Sequence, residues 1–173
     1  MKPFIGLKQI WYGEPLTSEP TSGAAVATLV EGFTEIKNVH EGTWTYTQDD
    51  PTVTEYINEL TGASYYRDAE TAGEKNINFS LGSYDYEDKA ALGGGEVITS
   101  AGATVGWKPA SKFSEIRKCV VALTKTDQFI VFSDAIIVAK VDPQQKNLAL
   151  GITATALEAT TSGVAAEYWF DRT

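Results

Sequence analysis

The chain has 173 residues, 43% of them hydrophobic and 21% charged, which allows a core of ordinary size and argues against wholesale disorder. Its formal charge is −9, and without a large basic patch to neutralise phosphates, tight sequence-independent DNA binding is disfavoured. A single cysteine, Cys119, leaves neither an intrachain disulfide nor a cysteine metal cluster.

The opening MKPFIGLKQIWYGEPL carries no apolar signal-like core, and no run approaches the ~18 residues of a bilayer span. The expectation is a protein made in the cytosol, neither exported by the usual signal nor embedded in a membrane. Charge is uneven: residues 31–96 hold 14 acids against 4 bases, whereas 97–126 hold five bases against Glu115 alone. Either these are solvated surfaces, or an acidic face meets a basic face between identical subunits, head to tail.

Residues 3–13 read as a first strand, closed by Gly13 and Pro15. Residues 14–25, rich in Pro, Ser, Thr and Gly, read as a loop or arm of a single domain spanning 1–173. A second strand is expected from Ala27 to Asn38. In TWTYTQ (43–48), Thr43, Thr45 and Thr47 fall on one face and Trp44 and Tyr46 on the other, the period of a half-buried strand. DDPTVTEYINELTG (49–62) predicts a helix, with Asp50 as N-cap, Pro51 at the first position, Val53, Tyr56, Ile57 and Leu60 at helical spacing, and Gly62 as the stop. SYYRD (64–68) follows as a short strand and 68–73 as a polar loop or hairpin.

Strand 74–81 sends Lys75, Ile77, Phe79 and Leu81 one way and Glu74, Asn76, Asn78 and Ser80 the other. The second set is wholly polar, so it must look onto water, either the outer solvent or a wet channel. A helix over about 85–92 then packs Tyr86, Ala90 and Leu92 and ends at Gly93-Gly94-Gly95. Irregular β structure and loop are expected over 96–109. The tail is a β meander of 119–125, 128–134, 135–140, 148–158 and 167–170. The whole is mainly β, a sandwich or partial barrel of eight to ten strands with two short helices.

Chemistry-bearing motifs are sparse. The only histidine, His40, lies beside a turn, with neither GxSxG nor cysteine-protease flanks elsewhere to complete a triad. The glycines at 93–95 follow a helix and precede no Lys-Ser or Lys-Thr, unlike a phosphate loop. Glu55 and Glu59 read as a solvated helix face, and Asp49/Asp50 and Glu87/Asp88 lack the alternating calcium-loop pattern. Cys119 opens an apolar run and reads as a buried, inert thiol. The expectation is a non-enzyme with no catalytic, cofactor-binding or metal-binding residues.

TYTQDDPTVTEYINELTG, then a polar loop, then EKNINFSLGSYDYEDKAALGGG resembles the major tail tube proteins of long-tailed bacteriophages. In that family an acidic "DP…TE" helix start precedes a strand of alternating polarity and a short helix ending in Gly-Gly. VVALTKTDQFIVFSDAIIVA and the closing ALGITATALEA…EYWF are similar to its C-terminal strand pairs, so the resemblance covers most of 34–170. It implies a fold shared with the type VI secretion tube proteins, and hexameric rings stacked into a hollow conduit for DNA delivery.

The partners so implied are copies of the chain itself, the tape measure, terminator and baseplate proteins, and DNA passing without specific binding. The location implied is a virion or prophage tail, assembled in the host cytoplasm, with no membrane. Candidate lumen-facing residues are Glu74, Asn76, Asn78, Ser80, Thr43, Thr45 and Thr47, a polar, non-basic set past which phosphates would slide. Loops 14–25 and 68–73 are candidates to bridge one ring to the next. A second reading is a carbohydrate- or ligand-binding β-sandwich, supported by Trp11, Trp44, Trp107, Trp169 and eight tyrosines.

Overall fold

The run CVVAL at 119–123 lacks polar alternation because its strand is covered on both faces. The computed structural model describes residues 2–172. In chain order the elements are β1 (Gln9–Gly13), α1 (Gly23–Leu29) with a 3-10 turn (Val30–Gly32), β2 (Thr34–Glu35), β3 (Thr45–Gln48) and β4 (Thr52–Ile57). There follow β5 (Ser64–Thr71), β6 (Lys75–Leu81), α2 (Tyr86–Gly93), β7 (Glu96–Ser100) and β8 (Ala103–Lys108). The chain ends with β9 (Ile116–Leu123), β10 (Gln128–Gln144), β11 (Asn147–Ala156) and β12 (Glu167–Asp171). Strands hold 49% of the residues and helices 11%, so the mainly-β expectation with short helices holds.

One antiparallel sheet runs β2-β1-β9-β10-β11-β6-β3, with β12 added to the first half of β10. Alternate residues of β1, β9 and β10 feed two cores. Ile10, Val120, Ala122, Ile130 and Phe132 meet Ile77, Phe79, Leu81, Leu150 and Ile152 from β6 and β11, so the sheet curls onto itself. Trp11, Cys119, Val121, Leu123, Phe129 and Val131 face the other way, under Val26 and Val30. The architecture is a partial barrel backed by α1.

The strand expected over 27–38 is instead mostly α1 and its 3-10 turn. Ser22 caps it, accepting from the Ala25 N–H, and the alanine-rich stretch that follows favours helix. Gly23 sits so close to the Asp171 carbonyl that a Cβ would lie 1.8 Å from its oxygen. Residues 14–22 hold no regular element, but Leu16 is buried and donates its N–H to Ser133 O.

The helix expected over 49–62 is absent. Residues 52–71 form the β4–β5 hairpin, pairing Glu55 with Arg67 and Tyr56 with Tyr66. The reason is local: β-branched Thr52, Val53, Thr54 and Ile57 and the facing tyrosines favour cross-strand pairs, and no core lies nearby to receive an apolar helix stripe. At the tip the Asn58 side chain accepts from the Leu60 N–H, and Gly62 donates back to Asn58 O, making a turn where a helix stop was expected.

The second helix stands as α2, capped by Asp85 and released at Gly94, whose φ of 74° suits glycine. Residues 96–108, expected as irregular, form the β7–β8 hairpin. The runs 128–134 and 135–140, expected as two strands, are one strand, β10, bent by a bulge between Phe132 and Ala135.

Candidate functional site

Register places most of the candidate polar residues on one face. Thr45 pairs with Asn78 and Thr47 with Asn76 across β3 and β6. Asn78 then pairs with Thr153, and Asn76 with Thr155, across β11. Opposite-face residues of the same strands (Tyr46, Ile77, Phe79, Ile152, Ala154) belong to the core or pack against it. The outer face of β3, β6 and β11 is thus a neutral polar surface of threonine and asparagine, laced in part by the Thr155 hydroxyl donating to Asn76 Oδ1.

The remaining candidates stand differently. Ser80 is buried, and its hydroxyl donates to Asp142 Oδ2 at 3.1 Å. This corrects the expectation that it faces water, because β11 places Gly151 beside Ser80, and with no side chain there Asp142 reaches across from β10 to cover it. Thr43 lies before β3 and is half-buried; its hydroxyl donates to His40 O and accepts from the Ser80 N–H. Glu74 is exposed just ahead of β6. Thr153 and Thr155 join this face without having been expected there, although Ile152, Thr153, Ala154, Thr155 carries the same period of two.

The barrel seam lies beside this face. Glu167 of β12 accepts from the Tyr46 hydroxyl at 2.8 Å and from Trp169 Nε1, and pairs with Lys75. Burial, and then the hydrogen bond to Glu167, push the Tyr46 phenol above its ordinary pKa. On β10, Asp134 is buried and holds Arg117 through both carboxylate oxygens, at 2.9 and 2.5 Å. Asp88 accepts from the Tyr12 hydroxyl at 2.9 Å, and burial raises its carboxyl above the usual range. Burial likewise raises the Cys119 thiol, consistent with an inert side chain.

No known family model matches the chain, and no curated protein matches it.

Two hairpins stand outside the cores. On β4–β5 and its tip, Val53, Tyr56, Ile57, Leu60, Tyr65 and Tyr66 are all exposed, Leu60 at 94%. On β7–β8, Ile98 and Val105 are exposed. Between α2, the end of β8, the loop after it and the middle of β10 lies a cleft of about 320 Å³ whose lining includes Leu92, Trp107, Lys112, Phe113, Ile116 and Ile137. A polar recess of about 280 Å³ sits at the end of the threonine–asparagine face, lined in part by Lys140, Asp142 and Gln144. Among the described residues no group of three His, Cys, Asp or Glu could hold a metal ion. No helix among them is long and apolar enough to cross a membrane. His40 takes part through its backbone, its N–H donating to Ser80 O.

Proposed function

We propose that this chain is a structural subunit that assembles with copies of itself into rings and stacks, forming a hollow tube of the kind found in bacteriophage tails. The observation that carries the reading is the β4–β5 hairpin. It holds six large apolar side chains in ordered strand and turn structure, all left in water by a molecule whose two cores are already closed. Exposed apolar surface concentrated on one arm in this way marks an interaction site.

The neutral face of Thr45, Thr47, Asn76, Asn78, Thr153 and Thr155 supports the tube reading. Side chains without positive charge release no counterions from DNA, so a duplex would pass without being held. In this reading the function is architectural rather than catalytic. Its partners are copies of the chain, and the remaining tail proteins at the ends of the tube.

Negative-stain microscopy of concentrated protein tests it. Rings or tubes with a central hole are expected. A chain that stays monomeric at every concentration and binds glycans on an array would replace this reading with a carbohydrate-binding one.

A further inference from the structure

We propose that the tip of the β4–β5 hairpin of one copy seats in the cleft between α2 and β10 of a neighbouring copy, with Leu60 as the inserted side chain and Glu59 beside Lys112. This inference rests on the self-assembly reading and names the contact that would build it.

Three observations support the pairing. The first is shape and polarity. Leu60 is 94% exposed on a turn fixed by Asn58, so it projects as an apolar knob from the end of a two-stranded arm. The cleft is of a size to take such a side chain, and its lining includes the buried Leu92 with Ile116, Ile137 and Trp107. Phe113 at its rim is 96% exposed, an aromatic ring with nothing in its own chain to pack on.

The second observation is charge. Residues 52–71 carry Glu55, Glu59, Asp68 and Glu70 against Arg67, a net of −3. Residues 108–118 carry Lys108, Lys112, Arg117 and Lys118 against Glu115, a net of +3. Within the chain Lys108 is paired with Glu96, Arg117 with Asp134 and Lys118 with Glu14. Lys112, on the cleft, makes no ion pair among the described residues, and neither does Glu59 at the hairpin tip. Two hairpins placed tip to tip would instead bring Glu59 against its own copy, which like-charge repulsion opposes.

The third is rigidity of the receiving wall. Trp107 donates its indole N–H to Gly94 O at 2.9 Å, and Lys89 lies 4.1 Å over its ring. The wall is therefore held in place before anything docks. The hairpin tip and the cleft are different surfaces of the same chain, so the contact is heterologous, and repetition closes a ring or extends a filament.

Site-directed cross-linking tests the contact. Leu60→Cys and Phe113→Cys change side chains that are almost wholly in water, so both variants keep the fold, while the native thiol of Cys119 is buried. Under mild oxidation at assembling concentration, the two variants mixed should give a disulfide-linked dimer that neither gives alone, and the double variant should give a ladder. Lys112→Glu should cut the yield several-fold, and adding Glu59→Lys should restore it.

No cross-link in the mixture or the double variant overturns the proposal, as does equal cross-linking of Leu60→Cys by itself. Microscopy of the unmodified chain separates the two readings. Rings without the cross-link sink this contact and leave self-assembly standing, whereas neither rings nor cross-link sinks both.

Discussion

Tyr46 donates its hydroxyl to Glu167 across 2.8 Å, joining the last strand of the main sheet to the strand that pairs with its middle. No backbone ladder joins β3 to β12, so this bond, with the Lys75–Glu167 ion pair, is how the curl of the sheet is fastened by side chains. The Glu167 side chain is 8% exposed and takes three donors. Glu167→Ala leaves a half-buried lysine and a phenol without their acceptor and should cost about 3 kcal/mol. Tyr46→Phe removes a single donor and should cost about 1 kcal/mol. Urea unfolding of the two variants checks both the size and the order.

The sheet was legible where one rule governed each residue. The alternation gave the correct faces of β6 over 76–79 and of β3 over 45–48, because there each strand has one side on the core and one side on water. The triple glycine likewise marked the end of α2.

Reading failed where two periods fit the same residues. Val53, Tyr56, Ile57 and Leu60 suit a helix stripe after Asp50-Pro51, but the pairing that decides the outcome lies in Tyr66 and Arg67, beyond that window. Ser80 shows a different limit. Its place in a polar alternation was clear, but only the tertiary fold brings Asp142 over it, and strand periodicity carries no information about that. The cleft beside Trp107 has no local signature at all, since its lining comes from α2, β8, the loop after it, β9 and β10.

Asp88 should give stability an unusual dependence on pH. Burial is the main cause of its raised pKa, with the carboxylates of Asp85 and Glu87 adding to it and the Tyr12 bond opposing. Because the folded value lies above the unfolded one, the folded state binds more protons in the interval between them. Its contribution to stability is therefore greatest below the ordinary aspartate pKa and falls as pH rises through the folded value. Asp88→Asn, which keeps an acceptor for Tyr12, should remove that decline. Thermal melts of the two proteins from the ordinary aspartate value up to neutrality should converge at the acid end and separate at neutral pH, the variant being higher.

Cys119 reports on global opening. It is fully buried between β1 and β10, on the face covered by α1, with its thiol pKa raised chiefly by burial. A thiol reagent such as Ellman's should react with the native protein only at the rate at which the second core opens. The labelling rate should therefore rise with urea in parallel with unfolding followed by tryptophan fluorescence. Fast labelling in native buffer would mean that α1 detaches from the sheet independently of the rest.

In the proposed tube the neutral character of the β3–β6–β11 face would let DNA pass, and it can be reversed. Thr45 is exposed and Asn78 half-exposed, and they face each other on neighbouring strands. Lysines at both positions can keep their ammonium groups in water while their stems lie along the sheet. The fold and melting temperature of Thr45→Lys/Asn78→Lys should stay close to those of the parent. What changes is the charge density that repetition creates. One subunit adds two cations, too few for measurable binding, but a ring repeats them around a common axis and each phosphate they neutralise releases counterions. The variant should therefore bind duplex DNA only once assembled, with an affinity that falls steeply as salt rises. Filter binding across a salt series, on monomeric and assembled fractions, measures this. Equal binding by monomer and assembly would place these residues on an outer surface and move the channel wall elsewhere.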